Sequence, residues 1–173
     1  MTRRRWLWIL GVATLVLGAI LLLLDGRMQD AGGPGIVGYE LARSSERAAE
    51  ILAEWGSEGQ DAARASLWLD FAYLVAYGAL LWLALRALRD ALARRALDGF
   101  ARFGERIAWL PLVAAACDAV EDVLLLLVLD GRGGAAAPAF AAAFASVKFV
   151  CLGIVVIYLL AGLLAMRRAQ VRA

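Results

Sequence analysis

The chain has 173 residues, 63% of them hydrophobic, with mean hydropathy +0.73 and a formal net charge of +2. That composition is too apolar for an ordinary water-soluble domain, and the polar remainder is too short to form a separate soluble domain of any size. Its arginines flank apolar runs, where they meet anionic lipid headgroups, which argues against a nucleic-acid surface.

Four apolar runs, Trp6–Leu24, Leu67–Leu88, Ile107–Leu129 and Phe140–Met166, each approach or exceed twenty residues. At about 1.5 Å of rise per residue, such a run matches a hydrocarbon core about 30 Å thick. The sequence therefore predicts an all-α fold: one transmembrane domain spanning residues 1–173, built as a four-helix bundle. The first run is longer than the apolar segment of a secretory signal, so it is read as a span.

After the first run, Asp25-Gly26 and the turn Gly32-Gly33-Pro34-Gly35 lead into a polar segment. From Tyr39 to Trp55, residues Leu41, Ala48, Ile51, Leu52 and Trp55 share one helical face, opposite Glu40, Arg43, Glu46, Arg47, Glu50 and Glu54. This predicts an extra amphipathic helix over 39–55 in the first outer loop, ended by Gly56, as a surface float or a lid. A second helix begins near Asp61. Residues 90–106 form a basic connection, and residues 131–138 a short loop of Gly and Ala before the last run.

Charge asymmetry sets the orientation. Twelve arginines (Arg3, Arg4, Arg5, Arg86, Arg89, Arg94, Arg95, Arg102, Arg106, Arg167, Arg168, Arg172) fall on one side of a four-span arrangement, and five (Arg27, Arg43, Arg47, Arg64, Arg132) on the other. Short basic loops stay on the cytoplasmic side. The expected location is a bacterial cytoplasmic (inner) membrane, with both termini in the cytoplasm.

The chemistry lies in ionisable residues inside the runs: Asp70, Asp118, Glu121, Asp122 and Lys148. Each costs about 2.5–3.5 kcal/mol at a helix centre, so such groups face an interior, a wet cavity or one another. Asp118, Glu121 and Asp122 fall on one face at helical spacing, and Asp70, Tyr73 and Tyr77 form a second stripe. Counting from the outer ends puts Lys148 level with Glu121 and Asp122, and the expected ion pair is with one of those two. Four acids against one lysine leave a surplus that protons, a cation or a cationic ligand would balance.

With no histidine, bis-histidine haem ligation is excluded, and no metal ligand set is assigned. Cys117 and Cys151 read as small packing residues. Trp55 and Trp68 read as outer-interface anchors, and Trp6, Trp8 and Trp109 as inner ones. No nucleophile triad, phosphate loop or dinucleotide fingerprint is present, so no enzyme class is assigned and the cofactor is unknown.

The run from Pro34 to Ala42, Trp55-Gly56, Leu69-Asp70-Phe71, Tyr77-Gly78, Asp118-Ala119-Val120-Glu121-Asp122 and Lys148-Phe149 together resemble a family of uncharacterised bacterial four-span integral membrane proteins. That resemblance implies the four-span fold and brings no activity with it. Asp122 stands where the resemblance implies asparagine. A looser, architectural likeness is to the EXPERA group of sterol isomerases and the sigma-2 receptor, small bundles with buried acids near one membrane face. The chain lacks the histidine the isomerases use, so that activity is not carried over.

The functional expectation is a buried acid–lysine site in the outer half of the bundle, binding a small molecule or lipid. Asp118 and Glu121 would hold a cationic or hydroxylated group, Lys148 would neutralise them, and Asp70, Tyr73 and Tyr77 would line the way in. Two other readings are a structural or accessory subunit of a larger membrane complex, with the charged seam fixing helix packing, and proton or cation transport. The first of these implies membrane-protein partners.

Overall fold

The structure is a computed structural model that describes residues 2–171, with side chains to Arg168; Arg172 lies outside the described residues. Among the described residues every regular element is helical: α1 (Arg3–Asp30), α2 (Ile36–Glu40), α3 (Ser45–Ala93), α4 (Asp98–Arg106), α5 (Leu110–Leu129) and α6 (Ala137–Val171). Three of them, α1, α3 and α6, are long and apolar enough to cross a membrane. The 20-residue α5 is not in that set, because its apolar length is interrupted by Asp118, Glu121 and Asp122.

The long α3 lies at the centre. α1 packs along it, α5 and α6 pack on each other, and both also touch α3. The two ends of the assembly differ in chemistry. At one end Arg3 pairs with Asp90 at 2.8 Å, Arg89 with Asp90 and Glu105, and Arg95 reaches Met166. At the other end Arg64 and Arg132 both pair with Asp130.

Two apolar clusters occupy the two ends of the interior. One joins Met28, Tyr39, Ile51, Trp55, Leu67, Leu125 and Leu129; the other joins Leu85, Leu88, Leu92, Ile107, Val155 and Tyr158. Along α3, α5 and α6, the residues between these clusters are Asp70, Tyr73, Tyr77, Asp118, Glu121, Asp122 and Lys148. The polar groups thus form a layer between two apolar clusters.

The independent amphipathic helix expected over 39–55 is not formed. Its start belongs to α2, the chain breaks at Arg43 (φ 61°), and its remainder is the first part of α3. Ser44 caps that helix, its Oγ accepting from the Arg47 amide at 3.2 Å. Ala48, Ile51 and Trp55 are buried as the helical pattern requires, whereas Leu41, beyond the break, is exposed. Trp55 is therefore no lipid anchor: it is 1% exposed, and its Nε1 donates to the Pro34 carbonyl at 2.7 Å.

Gly56 does not end a helix either. At φ 56°, ψ −161° it kinks α3, and helical geometry continues on both sides. That backbone region is open almost only to glycine. A Gly56→Ala variant is expected to lose about 1–3 kcal/mol, seen as a lower unfolding midpoint, although a new Cβ meets no atom within 4 Å. An unchanged midpoint would show that the kink is relaxed.

Candidate functional site

Three of the buried ionisable groups come from α5. Its inward face carries Pro111, Ala114, Asp118, Glu121, Asp122, Leu125 and Leu129, while Val113, Val120 and Val123 face outward. One helical stripe thus takes three acids to the interior; Asp118 and Asp122 are each 3% exposed and Glu121 is fully buried.

Lys148 of α6 meets them. Its Nζ lies 2.7 Å from Asp118 Oδ1, 2.9 Å from Glu121 Oε2 and 3.5 Å from Glu40 Oε2. The expected pairing with Glu121 is present, but the shortest contact is to Asp118, and Asp122 is not a partner. The approach to Glu121 is off the line of a hydrogen bond, so both Glu121 oxygens lack an aligned donor. Asp122 Oδ2 is buried without a partner as well.

From α3, the Tyr77 hydroxyl donates to Asp118 Oδ2 at 2.8 Å, and its ring lies 5.3 Å from that of Tyr73. Asp118 is thus held by a cation on one oxygen and a phenol on the other. A Tyr77→Phe variant leaves the second oxygen without its donor, and a hydrogen bond to a charged group is worth about 1.5–3 kcal/mol. The expected result is a fall in stability of that order in denaturant or thermal unfolding; a change near zero would place another donor on Asp118.

Glu40 is the site residue the sequence reading misplaced. Assigned to a solvated helix face, it is 9% exposed and sits beside Lys148. The cause is the break at Arg43: the 39–55 periodicity does not run through it, so Glu40 faces inward with Tyr39. The available signal was composition, since Ile36-Val37-Gly38-Tyr39 is too apolar for an exposed turn. Tyr39 donates from Oη to the Leu125 carbonyl at 3.2 Å, tying α2 to α5. Burial pushes the Tyr39 phenol above its ordinary range, so it remains a neutral donor. Burial also raises the Glu40 carboxyl, against the opposing pull of Lys148.

A cavity of about 400 Å³ opens onto this layer. Its polar wall consists of Glu40, Asp70, Tyr73, Tyr77, Asp118, Lys148 and Thr14, and its apolar wall of Leu80, Leu81, Phe149, Leu152 and Val156 with Val37. Of the seven residues singled out from sequence, Asp70, Tyr73, Tyr77, Asp118 and Lys148 line it. Glu121 and Asp122 are not among its lining residues. Thr14, whose buried Oγ1 has no partner, carried no sequence signal.

Asp70, Asp118 and Asp122 each offer a carboxylate oxygen, all within 4.8 Å of one another. Hard divalent cations take oxygen ligands at about 2.0–2.6 Å, so the spacing is of the right size. Asp118, however, already accepts from Lys148 and Tyr77. Cys117 and Cys151 are free thiols. Five acids (Glu40, Asp70, Asp118, Glu121, Asp122) surround one lysine, so the carboxyl oxygens of the layer outnumber the donors that Lys148 can offer.

Comparison with family models, with curated proteins and with solved structures gives no match.

Proposed function

We propose that the protein is a four-span membrane protein whose polar cavity binds a small molecule or lipid through a cationic or hydroxylated group. The observation that carries this reading is the 400 Å³ cavity placed directly on the acid–lysine layer. Ligand sites commonly have this character: a mostly apolar hollow of about 300–1,000 Å³ with a few converging polar groups.

Membrane insertion of α5 as the fourth span is supported by its geometry, because its three acids face inward and its valines outward. The arginine-rich end, which gathers Arg3, Arg89 and Arg95, is assigned to the cytoplasmic side. The cavity then lies in the outer half of a bacterial inner membrane, below α2. Lys148 offsets part of the charge of Asp118 and Glu121, and the wall acids Asp70 and Glu40 receive the ligand.

A second reading has its own support. Glu121 is fully buried and contacts Lys148, yet lies off the cavity wall, as a packing seam in an accessory subunit of a larger membrane complex would. Gentle extraction in a neutral maltoside detergent followed by native mass spectrometry separates the two. A retained small molecule or lipid, lost in Asp70→Asn, supports binding. Stoichiometric protein partners with no small-molecule adduct would overturn it in favour of the accessory subunit.

A further inference from the structure

We propose that the ligand is a single-chain amphiphile with a primary amine head, taken in sideways from the membrane through the gap between α1 and α6. The inference rests on the ligand-binding reading above and adds the chemistry of the head, the place of the chain and the route.

The head follows from which carboxylates already have a cation beside them. Lys148 is within 4.0 Å of Asp118, Glu121 and Glu40. Asp70 also lines the cavity, yet no cation lies within ion-pairing distance of it among the described residues. It is half-buried, one helical turn from Tyr73, whose ring meets that of Tyr77 at 5.3 Å. A carboxylate beside aromatic rings is a wall suited to an ammonium group. An anionic head would face Glu40, Asp70 and Asp118, and the one cation of the wall is engaged by acids.

The chain follows from polarity along the cavity. Glu40 and Asp70 stand at one end, and Leu80, Leu81, Leu152 and Val156 at the other. From Asp70 to Leu81, helix α3 rises about 16 Å, enough for a substantial length of alkyl chain directed toward the membrane centre. The route follows from packing. α1 rests along α3 and makes no extended contact with α6, yet both contribute to the cavity wall through Thr14 and Val156. Val156 is 46% exposed, so this wall reaches the outer surface of the bundle. Lipid tails are as apolar as leucine, so the chain gains little by leaving the bilayer, and the head charge sets selectivity.

The test uses the full chain in phosphatidylcholine nanodiscs doped with hexadecylamine or with hexadecyl sulfate at equal mole fraction. Native mass spectrometry counts retained amphiphile and a thermal melt reads the shift in Tm; soluble butylamine probes the head site alone. The expected result is one retained hexadecylamine per protein with a raised Tm, and neither effect with the sulfate. Asp70→Asn is expected to weaken both amines about tenfold or more, the worth of a charge-assisted contact. Val156→Trp, at a half-exposed position that accepts the larger ring, is expected to exclude hexadecylamine while leaving the butylamine shift unchanged. If the tryptophan variant retains hexadecylamine as the parent does, the chain does not lie in this gap and the amphiphile proposal falls, while the polar site stands. Equal retention of the sulfate overturns the amine head. No shift with either amine overturns the amine-amphiphile proposal, while the ligand-binding reading, which also admits a hydroxylated group, is decided separately by the adduct retained on gentle extraction.

Discussion

Lys148→Met is expected to lower stability by about 3–5 kcal/mol, the usual loss when one partner of a buried ion pair is removed and the other stays. Asp118 and Glu121 are at most 3% exposed, and Lys148 is the cation that contacts them. Methionine nearly matches the volume of the stem, so the loss reports charge and not packing. The triple variant Lys148→Met, Asp118→Asn, Glu121→Gln is expected to recover most of it, because neutral groups need no counter-charge. Unfolding midpoints in a fixed neutral detergent give all three values. A single variant as stable as the parent would mean that the carboxyls are already neutral and that Lys148 is not their counter-charge.

The second large effect is expected in the apolar cluster that holds α2. Trp55→Ala removes a buried ring that packs 5.0 Å from Tyr39 and holds Pro34 by a 2.7 Å hydrogen bond. Truncating a buried tryptophan costs about 3–5 kcal/mol. Gly33 lies so close to this ring that any added Cβ would collide with it, so the turn and the ring are fitted to each other. Loss of the ring is expected to loosen α2, and with it the approach of Glu40 to Lys148. Hydrogen exchange should then rise first at residues 33–42. Exchange confined to the first part of α3 would show that α2 is held independently by Tyr39 and its bond to Leu125.

These two residues mark how differently parts of the chain can be read. Lys148 announces itself, since a lysine among apolar residues requires a partner, and the level of Glu121 was found by counting along two helices. The inward face of α5 was equally legible, because three acids at helical spacing cannot all meet lipid. Trp55 was not legible as a core residue. An aromatic at the edge of an apolar run looks the same whether it anchors in lipid or packs beneath a turn, and only the fold of residues 33–42 distinguishes the two cases.

Glu40 shows the same limit at the site itself. Its charge fits a polar face whose period extends smoothly to Trp55, and although the apolar run Ile36–Tyr39 points to burial, no residue type marks the break at Arg43. Gly56, expected to end a helix, instead kinks α3, because the direction of the chain after a residue of positive φ depends on what the next turns can pack against. There Ala62 and Ala63 of the continuing helix join Met28 of α1 in one cluster.

Residue order alone therefore determined the helical class and the need to bury Asp70, Asp118, Glu121, Asp122 and Lys148; of the four apolar runs it marks, three lie on helices long and apolar enough to cross a membrane. Periodicity and the cost of placing charge in lipid are local rules, and they act on each segment separately. Tertiary packing decided which acid takes the shortest contact with Lys148, brought Glu40 in from the first loop, and left α1 and α6 without extended contact. Those outcomes depend on how residues distant in sequence fill a shared volume, and no single segment carries that information.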